Sequence, residues 1–159
     1  MSIPLLSLTD SDEVRATVGV DDSDFPDATV SAMGLDNDLE ADLLTWLPTY
    51  TTVISEGTTG TPTSDQRLKY LNLKNYAKYF CAYLVASASQ LMAPQKESDG
   101  ANELQRFTTD KLTDLLARLS AKRDKYRSDI EYQENAGSYT HSLFSTVSPT
   151  YDPVANETA

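Results

Sequence analysis

The chain has 159 residues, one domain's worth, with 40% hydrophobic residues, 24 Asp and Glu against 13 Lys and Arg, and a formal charge of −11. So acidic a balance argues against capture of nucleic acid through its phosphates and against attraction to anionic membrane surfaces, both of which need clustered Lys and Arg. The charge is also divided: residues 1–63 hold twelve acids and one base, Arg15, while residues 64–136 hold ten acids and twelve bases. That split predicts two surfaces facing different surroundings, one strongly acidic and one near neutral and fit for packing.

Ile3, Leu5, Leu6 and Leu8 form a short apolar lead into Thr9-Asp10-Ser11-Asp12. Thr9 with Asp12 three residues on reads as a helix start, with carboxylates at the positive end of the dipole. The spacing predicts a short helix over 10–18, stopped by Gly19. Residues 21–24 read as an acidic turn. Pro26 then opens a short helix that ends at Gly34. Asp36, Asn37 and Asp38 are expected to cap a helix over 37–55. Leu39, Leu43, Leu44, Trp46 and Leu47 mark its buried face, and Pro48 kinks or breaks it. Residues 57–62 read as a Gly/Thr/Pro loop.

Thr63-Ser64-Asp65-Gln66 is a Thr-x-x-Gln capping box. The run 64–92 that follows contains neither Gly nor Pro. Leu73, Tyr76, Ala77, Phe80 and Leu84 recur at helical spacing, with Lys69, Lys74 and Lys78 on a polar side. Residues 81–88 are apolar nearly all round, which places them at the centre of the fold. After a polar break over 94–100, a second long helix is expected over 101–135, with Leu104, Phe107, Leu112, Leu115, Leu116, Leu119, Tyr126 and Ile130 buried. Beyond Leu119 hydrophobic density falls and bases crowd in, so this end is expected to leave the core and project. The fold class that results is all-α: a small helical bundle over residues 1–136, built on a long antiparallel helix hairpin. Residues 137–159 carry no Lys or Arg and two prolines. They read as an extended C-terminal docking arm with Tyr139, Leu143, Phe144 and Tyr151 as anchors.

Catalytic and metal-binding patterns are thin. His141, the single histidine, lies in the arm, away from any nucleophile on a rigid scaffold. The chain lacks a phosphate-binding glycine loop, a Cys-x-x-Cys and a His-Glu-x-x-His. Asp36-Asn37-Asp38-Leu39-Glu40 begins like a calcium loop, but Ala41 stands where that loop needs Gly, and helix capping accounts for the acids. Carboxylates on exposed turns, such as Asp10, Asp12, Glu13, Asp21, Asp22 and Asp24, are solvated by default. Cys81 sits inside an apolar helical pattern and reads as a small buried hydrophobe. The bases between 122 and 127 are interspersed with Asp124 and Asp129 and read as a salt-bridged helix end. No apolar run reaches the roughly 20 residues that cross a bilayer, and the opening residues lack the basic and apolar regions of a signal peptide. No enzyme activity, cofactor or metal is expected.

The order of elements is similar to that of the small helical head-to-tail connector proteins of tailed bacteriophages, also called adaptor or head-completion proteins. The resemblance is carried by Thr9-Asp10-Ser11-Asp12-Glu13-Val14-Arg15-Ala16-Thr17-Val18-Gly19-Val20 with Asp24-Phe25-Pro26-Asp27, by the helix over 39–54, and by Tyr76-Ala77-Lys78-Tyr79-Phe80-Cys81-Ala82-Tyr83 followed by a break and a long amphipathic helix. It covers about residues 9 to 135. It implies a homo-oligomeric ring, commonly twelvefold, at the neck of the virion after assembly in the host cytoplasm. Its implied partners are the portal protein and a tail-side connector or tail tube protein. Genomic DNA would pass through the axial channel without sequence-specific binding. Carboxylates would keep such a channel from holding DNA, and Asp36, Asp38, Glu40 and Asp42 are the candidate lining acids. Two other classes remain open on the same sequence: an acidic protein-binding adaptor or secretion chaperone, and a nucleic-acid module using the 122–127 end.

Overall fold

The computed structural model describes residues 3–92, 97–98, 103–104 and 109–136. They form β1 (Pro4–Leu5), β2 (Thr9–Asp10), α1 (Ser11–Val18), α2 (Asp27–Met33), α3 (Leu35–Trp46), α4 (Tyr50–Thr58), α5 (Ser64–Met92), β3 (Glu97–Ser98), β4 (Glu103–Leu104) and α6 (Thr109–Ala136). The class is all-α, with two antiparallel pairs of two-residue strands as its only sheet among the described residues.

The apolar lead is a tight hairpin rather than a plain lead-in. β1 pairs with β2 antiparallel, Leu5 opposite Thr9. Between them Leu6 and Ser7 hold positive φ, 47° and 58°. A leucine in this region costs about 1–2 kcal/mol. The Leu8 N–H to Leu5 carbonyl bond closes the turn, and the Leu6 N–H donates to Asp36 Oδ1 at 3.0 Å. The turn delivers Leu5 and Leu8 to the core. The cap of α1 is Asp10, one residue later than expected: its carboxylate accepts from the Glu13 N–H, and the Thr9 hydroxyl donates to the Glu13 side chain instead. Gly19 ends α1 at φ 87°, and Gly34 separates α2 from α3 at φ 66°, both where a side chain is strained.

The helix expected over 37–55 is broken at Pro48, as its proline predicts, and becomes two helices. α3 starts at Leu35, directly after Gly34, and does not need Asp36 or Asp38 as caps. Leu47, Pro48 and Thr49 break the helix, and α4 then runs to Thr58, taking the first two residues of the expected 57–62 loop and leaving the rest without helix. Gly57 belongs to α4 because it sits against Tyr70; a Cβ there would lie 2.3 Å from the Tyr70 Cβ. Leu44 is the exception on the face predicted to be buried: it is 53% exposed.

α5 begins as the capping box requires. The Gln66 N–H donates to Thr63 Oγ1, and the Thr63 N–H donates to Gln66 Oε1. It packs against α1, α3, α4, α6 and β2. Cys81, Ala82, Val85 and Ala86 are fully buried, so the small-residue stretch is indeed the centre.

α6 begins at Thr109, eight residues later than expected, because β3 and β4 pair over 97–104 and take the backbone hydrogen bonds a helix would need. Phe107 and the Leu104 side chain lie outside the described residues. The projecting end is not observed. Ile130 is fully buried, and contact between α5 and α6 reaches as far as Glu134. Lys69 pairs with Glu134, Tyr79 stacks on Tyr126 at 5.8 Å, and Arg123 lies over the Tyr83 ring at 5.3 Å. Numbers rise along α5 as they fall along α6, so the two run antiparallel. The bases replace hydrophobic density with stacked guanidinium on aromatic rings.

Candidate functional site

The acidic third is organised by Arg15. Its side chain is 4% exposed and is the one side-chain base among residues 1–63. Arg15 donates to the Phe25 carbonyl at 3.1 Å, to Asp27 Oδ1 at 2.9 Å, to Ser11 Oγ and to Asp12 Oδ1, and Asp22 lies 3.4 Å away. Burial alone would lower the guanidinium pKa; the bonds to Asp12 and Asp27 outweigh it and leave the pKa raised. In return the Arg15 and Ser11 hydrogen bonds hold the Asp27 carboxyl below the usual range. The only base of the segment is thus turned inward. Asp12, Glu13, Asp21, Asp22, Asp24 and Asp38 of the same segment are exposed. Sequence reading missed this, because no pattern in a lone arginine signals burial.

The four α3 acids divide. Asp36 accepts the Leu6 N–H, and Glu40 accepts the Tyr50 hydroxyl at 2.9 Å. Asp42 accepts the Trp46 indole N–H at 2.9 Å and the Tyr76 hydroxyl. Asp38 alone of the four is exposed. Asp42 stands in a seam between α3, α5 and α6: Trp46 meets Tyr76 edge-on at 4.9 Å, Tyr76 stacks on Phe80 at 6.0 Å, and the Arg127 guanidinium lies 5.0 Å from the Trp46 ring centroid. Burial, then the bond to Asp42, pushes the Tyr76 hydroxyl pKa well above its ordinary value. The bond to Glu40, then burial, raises that of Tyr50. These hydroxyls remain neutral donors at any physiological pH.

Cys81 is fully buried, and burial, with Asp36 and Asp38 adding to it, pushes its thiol up to about 12. A thiol in that state is not a nucleophile at neutral pH. A cleft of about 400 Å³ lies beside the N-terminal hairpin, lined by Pro4, Ser7, Leu8, Thr9, Asp10, Glu13 and Lys74. Its two carboxylates are already occupied, Asp10 by the α1 cap and Glu13 by the Thr9 hydroxyl. Among the described residues no group of three or more His, Cys, Asp or Glu could hold a metal ion. No described helix is long and apolar enough to cross a membrane.

Of the four bases at 122–127, Arg123, Lys125 and Arg127 have partners within the fold and Lys122 is exposed. Arg123 pairs with Asp124, Arg127 pairs with Glu131 at 2.8 Å, and Lys125 lies over Tyr126. The arm anchors Tyr139, Leu143, Phe144 and Tyr151, and His141, lie outside the described residues. Compared with family models, curated proteins and solved structures, the chain matches none.

Proposed function

We propose that the protein is a structural adaptor of a tailed bacteriophage, forming a ring beneath the portal that joins capsid to tail and continues the DNA channel. The observation that carries this reading is the fate of Arg15. The only side-chain base of residues 1–63 is buried and paired with Asp12, Asp22 and Asp27, so the exposed charge that this third contributes is carboxylate. Such a surface repels a passing duplex instead of holding it. Support also comes from the three segments that carry the sequence resemblance, which meet around α5 as one unit.

The DNA-facing set differs from the one drawn from sequence. Asp36, Glu40 and Asp42 bond within the fold, so the outward surface shifts to α1 and the turn after it, where Asp12, Glu13, Asp22 and Asp24 are exposed. Helices α5 and α6 form the hairpin that carries this face, and residues 137–159 act as the arm that clips to the portal or to a neighbouring copy. No catalytic step, cofactor or membrane enters this reading.

Native mass spectrometry of the chain with a candidate portal, followed by negative-stain imaging, tests it. A ring seated on the portal is the expected result. A stable dimer without portal affinity would overturn it in favour of a protein-binding adaptor or secretion chaperone. Salt-sensitive binding of duplex DNA at physiological ionic strength would count equally against it.

A further inference from the structure

Among the described residues four large hydrophobic side chains are exposed: Leu44, Leu68, Leu71 and Tyr132. Leu44 is on α3. The other three gather at one end of the α5–α6 hairpin, fixed by the Lys69–Glu134 pair. Leu68 and Leu71 stand either side of Lys69 in sequence, and Tyr132 is two residues before Glu134. Leu68 and Leu71 are 49% and 41% exposed and, three positions apart, are neighbours on one side of α5.

Leu68 also falls on the stripe of α5 that faces α6. Positions 68, 72, 79 and 83 follow helical spacing. Asn72 is buried, Tyr79 stacks on Tyr126, and Tyr83 lies beneath the Arg123 guanidinium. The stripe loses its cover at Leu68 because the antiparallel register sets that residue opposite the end of α6 at Ala136. The chain that would continue the cover is residues 137 onward, which leave α6 beside the bare leucines. Gly137 is the residue type that most readily ends a helix and turns the chain. Tyr139, Leu143 and Phe144 follow within eight residues of Ala136, with no Lys or Arg among them. Three residues of chain reach up to about 10 Å, and Leu68 lies about 4.5 Å from Leu71 along the helix axis. Tyr139 is therefore within reach of the pair as soon as the chain turns back.

We propose that residues 137–144 fold back onto α5 of the same chain, with Tyr139, Leu143 and Phe144 covering Leu68 and Leu71. The occupant is the chain's own segment because the tether at Ala136 holds it at an effective concentration of about millimolar, which a free neighbour does not reach. Burying these apolar surfaces against one another supplies the driving force. The inference goes beyond the adaptor reading and does not rest on it. Within that reading it divides the arm: the part nearest the core is held on its own subunit, and the part from Tyr151 on is left to reach the portal or a neighbouring copy.

Limited chymotrypsin digestion of the full chain tests it, with the cuts located by mass spectrometry. In the wild type, cleavage after Tyr139 and Phe144 is expected to lag cleavage after Tyr151. Leu68→Ser combined with Leu71→Ser should speed the first two cuts about tenfold, because the protease acts on the undocked population, and leave the cut after Tyr151 unchanged. Leu143→Ser, which lies outside the helical core, should speed the cut after Tyr139 in the same way. Leu44→Ser removes an exposed leucine from α3 and should change none of them. Far-UV circular dichroism checks that each variant remains folded. Protection should be equal at about 1 µM and about 100 µM chain, since the contact is intramolecular. Cuts after Tyr139 and Phe144 as fast as that after Tyr151, or unmoved by the leucine substitutions, overturn the proposal. So does an equal effect of Leu44→Ser. Protection seen only at the higher concentration assigns the site to a neighbour's arm and overturns the same-chain contact. The two readings fail separately. A portal-seated ring whose free subunits leave Tyr139 and Phe144 open sinks this contact and keeps the adaptor. A protected segment in a chain that never engages a portal does the reverse.

Discussion

Arg15 shows how much can hang on one side chain. Two of its partners, Asp12 and Asp22, are 66% and 73% exposed, so water screens those pairs and their share is small. The weight falls on the buried bond to the Phe25 carbonyl and on Asp27, which also accepts from Ser11. Replacing Arg15 with Met removes the side-chain donor to the buried Phe25 carbonyl and one of the partners of Asp27, and is expected to cost about 1–3 kcal/mol in urea unfolding at pH 7. The pH dependence has a definite sign. A carboxyl held below its unfolded value stabilises the fold above about pH 4, and that contribution is lost as pH falls through the folded value. The wild-type unfolding midpoint should therefore drop below about pH 4 more steeply than that of Arg15→Met. Parallel curves would show that Asp27 owes its state to Ser11 instead. Gly57 is a second case. The 2.3 Å approach is to the Tyr70 Cβ, which is fixed to the backbone and cannot swing away. Gly57→Ala must push α4 off α5, and a loss of about 1–3 kcal/mol is expected in the same measurement.

Helix ends were the most legible elements because their chemistry is local. Thr63 and Gln66 are three residues apart, and both reciprocal bonds form without help from the rest of the chain. Thr63→Ala is expected to lower stability by about 1 kcal/mol, read from the urea midpoint. Gly19 and Gly34 likewise stop helices where sequence places them. What depends on distant partners was not legible. Asp36 looks like a cap but accepts from Leu6, thirty residues earlier, and Leu44 shares the spacing of its buried neighbours yet faces out. The hairpin at Leu6 and Ser7 was hidden because neither residue advertises positive φ. The far half of α6 misled for the same reason. Its low apolar density suggests a projecting helix, whereas Arg123 and Arg127 lie over rings contributed by α5 and α3. Arg127→Gln tests this account. Losing the guanidinium from Trp46 and the pair with Glu131 should cost about 0.5–2 kcal/mol. Amide hydrogen exchange should rise around residues 126–134 more than around 112–119. Uniform exchange across α6 would mean that Ile130 and the Tyr79–Tyr126 stack hold this end without the arginine.

At the scale of the whole molecule, net charge decides the direction in which salt moves stability. The fold carries a formal charge of −11, with seven of the twelve acids of the first 63 residues exposed and their base turned in. Those carboxylates repel one another in the folded state more than in the expanded chain. The screening length is about 30 Å at 0.01 M salt and about 8 Å at 0.15 M, so added salt relieves repulsion across the acidic face first. Surface pairs such as Arg123–Asp124 and Arg127–Glu131 weaken as well, but each contributes little. Thermal stability should therefore rise by about 1 kcal/mol between these conditions, or about 2–4 °C for a chain of this size. Calorimetry at low micromolar concentration across a salt series checks this. A midpoint that falls with salt would mean that ion pairs outweigh repulsion. The acidic third would then be a network satisfied within the fold, with little potential left to turn DNA away.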